Sequence, residues 1–217
     1  MNKFVNRHEA GVLLASLLKQ YAHQPNGVVL ALPRGGVPIA YEIATALSLP
    51  LDVFIVRKLG VPGQEEFAMG AIASGGTIVF NESVVKDLQI DPTAIDRVVQ
   101  SEQQELLRRE RLYRGDHHFI SLEGQTIILV DDGMATGASM RVAIMALYKL
   151  KPTRIVMAVP VAAHSTSDAM QKLVDEWVCP LQPPNFQAVG LWYESFPQIT
   201  DDEVIGFLEK ARGQLNK

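Results

Sequence analysis

The feature that most restricts the fold is a rhythm. Mainly apolar runs at 28–32, 52–56, 126–130 and 154–159 alternate with helix-like segments near 38–47, 137–150 and 165–174. Strands buried on both faces read as continuous Val/Ile/Leu runs, because neither face meets water. Strands separated by helix-length segments pair in parallel, since a parallel crossover needs a dozen or more residues. The expectation is an α/β chain with a mostly parallel sheet and helices on both faces. An amphipathic helix over Arg7–Gln20 should end at Pro25-Asn26-Gly27, and Thr200 or Asp201 should cap a last helix over Asp201–Arg212. With 217 residues, 47% of them hydrophobic, the chain can bury one substantial core, so a single domain over 1–217 is expected.

Ligands of open parallel sheets gather at the strands' carboxyl ends, so the residues just after each apolar run carry the chemistry. Ile127-Ile-Leu-Val-Asp-Asp-Gly-Met-Ala-Thr-Gly-Ala-Ser139 runs from an apolar strand into two acids, a loop of small residues and a helix start. The loop from Gly133 to Ser139 has little side-chain bulk, so its N–H groups can approach phosphate oxygens at the positive end of the next helix. Asp131 and Asp132, acceptors only when ionised, suit the vicinal hydroxyls of a ribose. A P-loop lysine pattern is absent. After the first apolar run comes Pro33-Arg34-Gly35-Gly36-Val37-Pro38, two glycines beside a guanidinium whose planar fork matches phosphate oxygens. Asp52–Lys58 reads as a strand ending in two cations, Arg57 and Lys58, facing the same crevice.

The 127–139 stretch resembles the phosphoribosyl pyrophosphate signature of type I phosphoribosyltransferases: apolar strand, two acids, two variable residues, a small residue, Thr-Gly, and a small or hydroxyl residue. In that family the glycine loop at 33–38 is the pyrophosphate loop, and an Arg-Lys pair contacts the pyrophosphate. The order along the chain agrees, and the resemblance spans about residues 25–195. It implies a Rossmann-like sheet with a small inserted lid or hood region. It also implies a donor site of Arg34, Gly35, Gly36, Arg57, Lys58, Asp131, Asp132, Met134, Ala135, Thr136, Gly137, Ala138 and Ser139. Arg34, Arg57, Lys58, Asp131 and Asp132 would carry the catalysis. Mg2+ would be held mainly by the donor's diphosphate and ribose oxygens, with no metal site of the protein's own. Leu59-Gly60-Val61-Pro62-Gly63 resembles a region of adenine enzymes, one residue shorter. Phe186 and Trp192 are acceptor-stacking candidates, since aromatic faces stack on nucleobases. Two departures turn away from a 6-oxopurine acceptor: Ala135 stands where those enzymes carry Asp, and Val159–His164 lacks their lysine. The long charged insertion is unlike the adenine enzymes.

That insertion, about 60–118, is expected to form a lid and a charged helical arm. Phe67–Thr77 should be a hairpin or lid, and Pro92–Tyr113 a helix laced by ion pairs with Leu106 and Leu107 facing inward. The arm is read as a solvated helix, or else as a dimer contact or substrate cover, and a homodimer is expected. Glu65 and Glu66 are candidates for a general base. His117 and His118 are neighbours, so a metal site from this pair is not expected. The net charge of -4 gives no electrostatic case for nucleic acid. No segment is long and apolar enough to read as a membrane span. The lone Cys179 excludes an internal disulfide and suits a reducing cytoplasm. The function implied by resemblance is transfer of phosphoribose to a nitrogen of a nucleobase-like small molecule, with release of pyrophosphate. The alternative is a non-catalytic regulatory protein that binds phosphoribosyl pyrophosphate or a nucleotide in the same pocket.

Overall fold

The computed structural model describes residues 3–215. The elements in order are α1 (Arg7–Leu17), β1 (Gly27–Ala31), α2 (Gly36–Leu47), β2 (Leu51–Val53), β3 (Val56–Val61), β4 (Gln64–Ala73), β5 (Thr77–Phe80), α3 (Glu82–Asp87), α4 (Pro92–Arg114), β6 (Thr126–Val130), α5 (Ala138–Lys149), β7 (Arg154–Ala158), α6 (His164–Gln171), β8 (Glu176–Val178) and α7 (Asp201–Leu215). Five strands form a parallel sheet in the order β2-β1-β6-β7-β8. β3, β4 and β5 form a separate antiparallel sheet. The α/β architecture expected from the apolar rhythm is the one observed, and the short β8 is an addition to it.

Strand pleating explains why the runs are apolar throughout. Successive side chains leave a strand on opposite faces. Val29, Ala31, Ile128 and Val130 enter a core with Leu14 of α1, Ile39 and Ile43 of α2, and Val204 and Leu208 of α7. Their neighbours Val28, Leu30, Ile127 and Leu129 enter a second core with Ile144 and Leu147 of α5 and Met170 of α6. Each fully buried aliphatic side chain contributes ~1.5–3 kcal/mol, so both faces hold the central strands in place.

The expected strand over 52–56, continuing to Lys58, is not one strand. β2 stops at Val53; Phe54 N–H still reaches Ala31 O (2.8 Å), but Ile55 N–H donates to the hydroxyl of Ser74 (2.9 Å). The chain then leaves the parallel sheet for the hairpin β3–β4, turning at Pro62-Gly63. Arg57 and Lys58 therefore sit within the first hairpin strand and not at the carboxyl end of a core strand. A hydroxyl 19 residues away, which no local pattern reveals, supplies the bond that ends the strand.

α4 differs from a free arm. Its ion pairs are present, Arg108 and Arg109 both on Glu105 at 2.7 and 2.8 Å. Leu106 is buried, but Leu107 is 44% exposed, because consecutive helical residues point about 100° apart. At its last turn Arg114 is buried against β2. Its Nε donates to Asp52 at 2.8 and 3.1 Å, its Nη2 to Val53 O at 2.6 Å, and Glu110 lies 2.9 Å from Nη1. Phe119 lies under the guanidinium at 4.7 Å. Burial raises the Asp52 pKa and Arg114 opposes that rise.

Candidate active site

The strand order places a reversal between β1 and β6: from β1 the chain moves outward to β2, and from β6 it moves the other way to β7 and β8. Loops after two such strands diverge and leave a crevice at their carboxyl ends. The loops flanking this one are Leu32–Gly35 and Asp131–Gly137. Leu32 N–H donates to Val130 O at 2.9 Å, tying the two loop origins together.

Their contact requires glycine. A Cβ on Gly35 would lie 2.0 Å from Asp132 Oδ2, and one on Gly36 would lie 2.7 Å from Val130 O. Gly35 has ordinary helical angles (φ -60°, ψ -33°), so close approach, and not backbone freedom, is what excludes a side chain there. The Pro33–Arg34 peptide is cis. Arg34, 38% exposed, lies 3.6 Å from Asp201 Oδ1 at the start of α7, and Asp201 also accepts from the Tyr113 hydroxyl of α4 at 2.6 Å. Burial and that carboxylate push the Tyr113 pKa up to about 12.

The two acids have different surroundings. Asp132 accepts from Arg7 Nε (3.0 Å) and Nη2 (2.8 Å), both on Oδ2. Arg7 is itself held: Nη1 donates to Pro197 O at 2.7 Å and the guanidinium stacks 3.7 Å over Phe196. The Tyr193 hydroxyl donates to Asp132 O at 2.6 Å. Asp131 accepts from Asp132 N–H (2.8 Å) and makes no ion pair among the described residues. Burial, reinforced by the neighbouring Asp132 charge, raises the Asp131 pKa well above the ordinary carboxylate value. Burial raises Asp132 too, with Arg7 opposing the rise.

The following loop is pinned at one end and open in the middle. Met134 is buried, its N–H donates to Val161 O (2.9 Å), and its carbonyl accepts from Ala163 N–H (3.0 Å). Its amide is thus unavailable to an anion, against the expectation that the phosphate cradle begins there. The N–H groups of Ala135, Thr136 and Gly137 have no partner among the described residues. Thr166 Oγ1 holds Ala135 O at 2.7 Å, and Gly137 (φ 71°) turns the chain into α5, where Ala138 and Ser139 are exposed. Unbonded amides at a helix start are anion acceptors in waiting.

Arg57 and Lys58 do not pair with this loop. Arg57 binds Glu102 of α4 (Nε to Oε2, 2.6 Å), and Lys58 binds Glu66 (3.2 Å to Oε2, 3.1 Å to the carbonyl). With Gly60–Gly63, Glu65 and Arg97 they line a cavity of about 560 Å³ between the hairpin and α4. Phe186 and Trp192 stack on each other, 6.4 Å between centroids at 20°, and are half-buried. Val189 between them lies 2.5 Å from where a Cβ on Gly133 would be, so this segment abuts the Asp loop. His117 and His118 sit with Asp52 and Arg212 around a separate surface cavity.

Sequence reasoning missed Arg7, Tyr193, Phe196 and Asp201. Arg7 left one signal. A cation in the first turn of a helix opposes the helix dipole, so its presence at the start of α1 implies a partner elsewhere.

Comparison with known proteins agrees with the resemblance carried by the sequence. Residues 7–191 match the family model described as Phosphoribosyl transferase domain. Two Mycobacterium tuberculosis proteins, of strains CDC 1551 and H37Rv, provisionally named phosphoribosyl transferases, are 42% identical over 211 residues, 97% of this chain. The chain spans 47% of the length of each. The crystal structure of TT1426 from Thermus thermophilus superposes with a TM-score of 0.84 at 37% identity, covering 96% of this chain and 98% of that one. By motif, by fold and by these relatives, the chain belongs to the phosphoribosyl transferase domain family.

Proposed function

We propose that the crevice between β1 and β6 binds phosphoribosyl pyrophosphate and that the protein transfers its phosphoribosyl group to a nitrogen of a nucleobase-like acceptor. The observation that carries this reading is the convergence of three elements at one strand reversal. These are a guanidinium on a glycine loop, a carboxylate without an ion pair, and a run of unbonded amides at a helix start.

Each element has a task. The amides of Ala135 to Gly137 hold the 5′-phosphate, and Asp131 takes the ribose hydroxyls. Arg34 meets the diphosphate, and Arg57 and Lys58 join it when the hairpin closes. The acceptor nitrogen attacks the anomeric carbon, the carbon–oxygen bond to pyrophosphate breaks, and pyrophosphate leaves with the electron pair. The attacking nitrogen then gives its proton to a general base, the role for which Glu65 and Glu66 of the hairpin are the candidates. Positive charge grows on the ribose ring, so an acid beside it and cations beside the leaving group supply the electrostatic stabilisation. The β3–β4 hairpin, its Glu65 and Glu66 exposed, serves as the lid that excludes water as a competing nucleophile. The Phe186–Trp192 pair, on the segment whose Val189 abuts Gly133, supplies the apolar wall for the acceptor.

No group of three or more His, Cys, Asp or Glu residues able to hold a metal occurs among the described residues. In this reading Mg2+ would arrive on the donor's own oxygens, and Asp131 would be the nearby acid not paired to a cation. When bound, Mg2+ neutralises diphosphate charge. No helix among the described residues is long and apolar enough to cross a membrane. A homodimer in the cytoplasm completes the reading, and sedimentation tests the first part of it.

Titration calorimetry with phosphoribosyl pyrophosphate and Mg2+, followed by pyrophosphate release across a panel of bases, is the test. Binding with turnover on one base class is expected. Binding without turnover on any base makes the protein a sensor, and no binding removes the reading. Arg34→Ala should weaken the donor far more than a nucleoside 5′-monophosphate, which lacks the diphosphate.

A further inference from the structure

The second acid of the pair is wedged between three parts of the chain that are distant in sequence. Its Oδ2 receives two hydrogen bonds from Arg7 at 3.0 and 2.8 Å and lies 2.0 Å from the position of a Cβ on Gly35. Its backbone carbonyl receives the Tyr193 hydroxyl at 2.6 Å. The side chains of Arg7 and Asp132 are only 8% and 15% exposed. Phe196 and Pro197 O fix the rest of the guanidinium, so Arg7 has no freedom to seek another partner. Two donors of one rigid guanidinium converge on that single oxygen, which holds Oδ2 in place beside Gly35 as well as fixing its charge.

We propose that Arg7 is a positioning residue of the donor site: acting through Asp132, it locks the glycine loop after β1 against the acidic loop after β6. This rests on the donor reading above. The two acids then divide the work. Asp132 is the clasp that spaces the loops, and Asp131 is the carboxylate that remains for the ribose. The clasp also ties the crevice to both ends of the chain, since Arg7 opens α1 and Tyr193, Phe196 and Pro197 lead to α7. Loss of Arg7 leaves Asp132 free to rotate into the space facing the ligand, and the gap between pyrophosphate and 5′-phosphate positions loosens. Arg7 touches no ligand in this scheme.

The test is a double-mutant cycle read by calorimetry with phosphoribosyl pyrophosphate and Mg2+, using Arg7→Gln, Asp132→Asn and the two together, with Asp131→Asn as a separate arm. Arg7→Gln should weaken donor binding at least tenfold. In the Asp132→Asn background the same change should cost less than twofold, because the pair through which Arg7 acts is already lost. The Gln–Asn combination buries no charge, which keeps the cycle readable if Arg7→Gln alone folds poorly. Asp131→Asn should add its full loss in either background. Arg7→Lys, a cation without the planar fork, should recover only part of the affinity. Equal losses from Arg7→Gln with and without Asp132, or full affinity in a folded Arg7→Gln protein, would overturn the role of Arg7 while leaving the donor reading intact. Absence of donor binding by the unaltered protein overturns both.

Discussion

Gly35→Ala isolates the contact on which the crevice depends. The backbone tolerates alanine, at φ -60° and ψ -33°, so the whole effect comes from the new methyl group. Asp132 Oδ2 would have to retreat from 2.0 Å to at least 3.0 Å from the new carbon. The oxygen that must move is the one holding both Arg7 hydrogen bonds, at 3.0 and 2.8 Å. If the loops shift and the pair survives, the cost is that of overpacking, ~1–3 kcal/mol. If the carboxylate rotates away, Arg7 is left buried without its partner, and the cost rises to ~3–5 kcal/mol. We expect about 3 kcal/mol in urea denaturation, which for a chain of this size is roughly a 6–12 °C fall in Tm. Asp132→Ala removes the atoms that collide, so Gly35→Ala should cost less than ~1 kcal/mol in that background, the spread normal for a benign substitution. A folded Gly35→Ala protein as stable as the parent, or an equal cost in both backgrounds, would refute the steric reasoning.

Three further outcomes follow from the same geometry. Asp131→Asn should stabilise the ligand-free fold at and above neutral pH: a carboxyl whose folded pKa is raised favours folding when protonated and loses that contribution as pH rises. In thermal melts the variant's advantage should shrink as pH falls toward the ordinary carboxylate value of 3.8, and a pH-independent difference contradicts the assignment. Arg114→Ala strands the Asp52 carboxylate in a dry site and should cost ~3–5 kcal/mol in urea denaturation, whereas Arg114→Met with Asp52→Asn should recover most of it. The hairpin tip Val61–Gln64, exposed from Pro62, should exchange amide hydrogens rapidly without ligand and become protected with donor and Mg2+, more so than β1 or β6; an unchanged tip is not a lid.

The parallel sheet and the loops that flank its reversal are legible in the letters alone. Fully apolar runs such as Ile127–Val130 admit few structures except strands buried on both sides, and small, glycine-rich loops after two of them are where backbone can approach a ligand. These signals are local, carried by residues within one element. Whatever depends on partners far along the chain emerges only when the chain has folded. Ser74 ends β2 and moves Arg57 and Lys58 into a hairpin, where Glu102 and Glu66 hold them. Val161 takes the Met134 amide, which leaves it outside the proposed phosphate cradle. Arg7, 125 residues from Asp132, makes the two adjacent acids unequal. Two neighbouring aspartates are indistinguishable as letters; burial and one buried guanidinium give them different surroundings, and both are properties of packing.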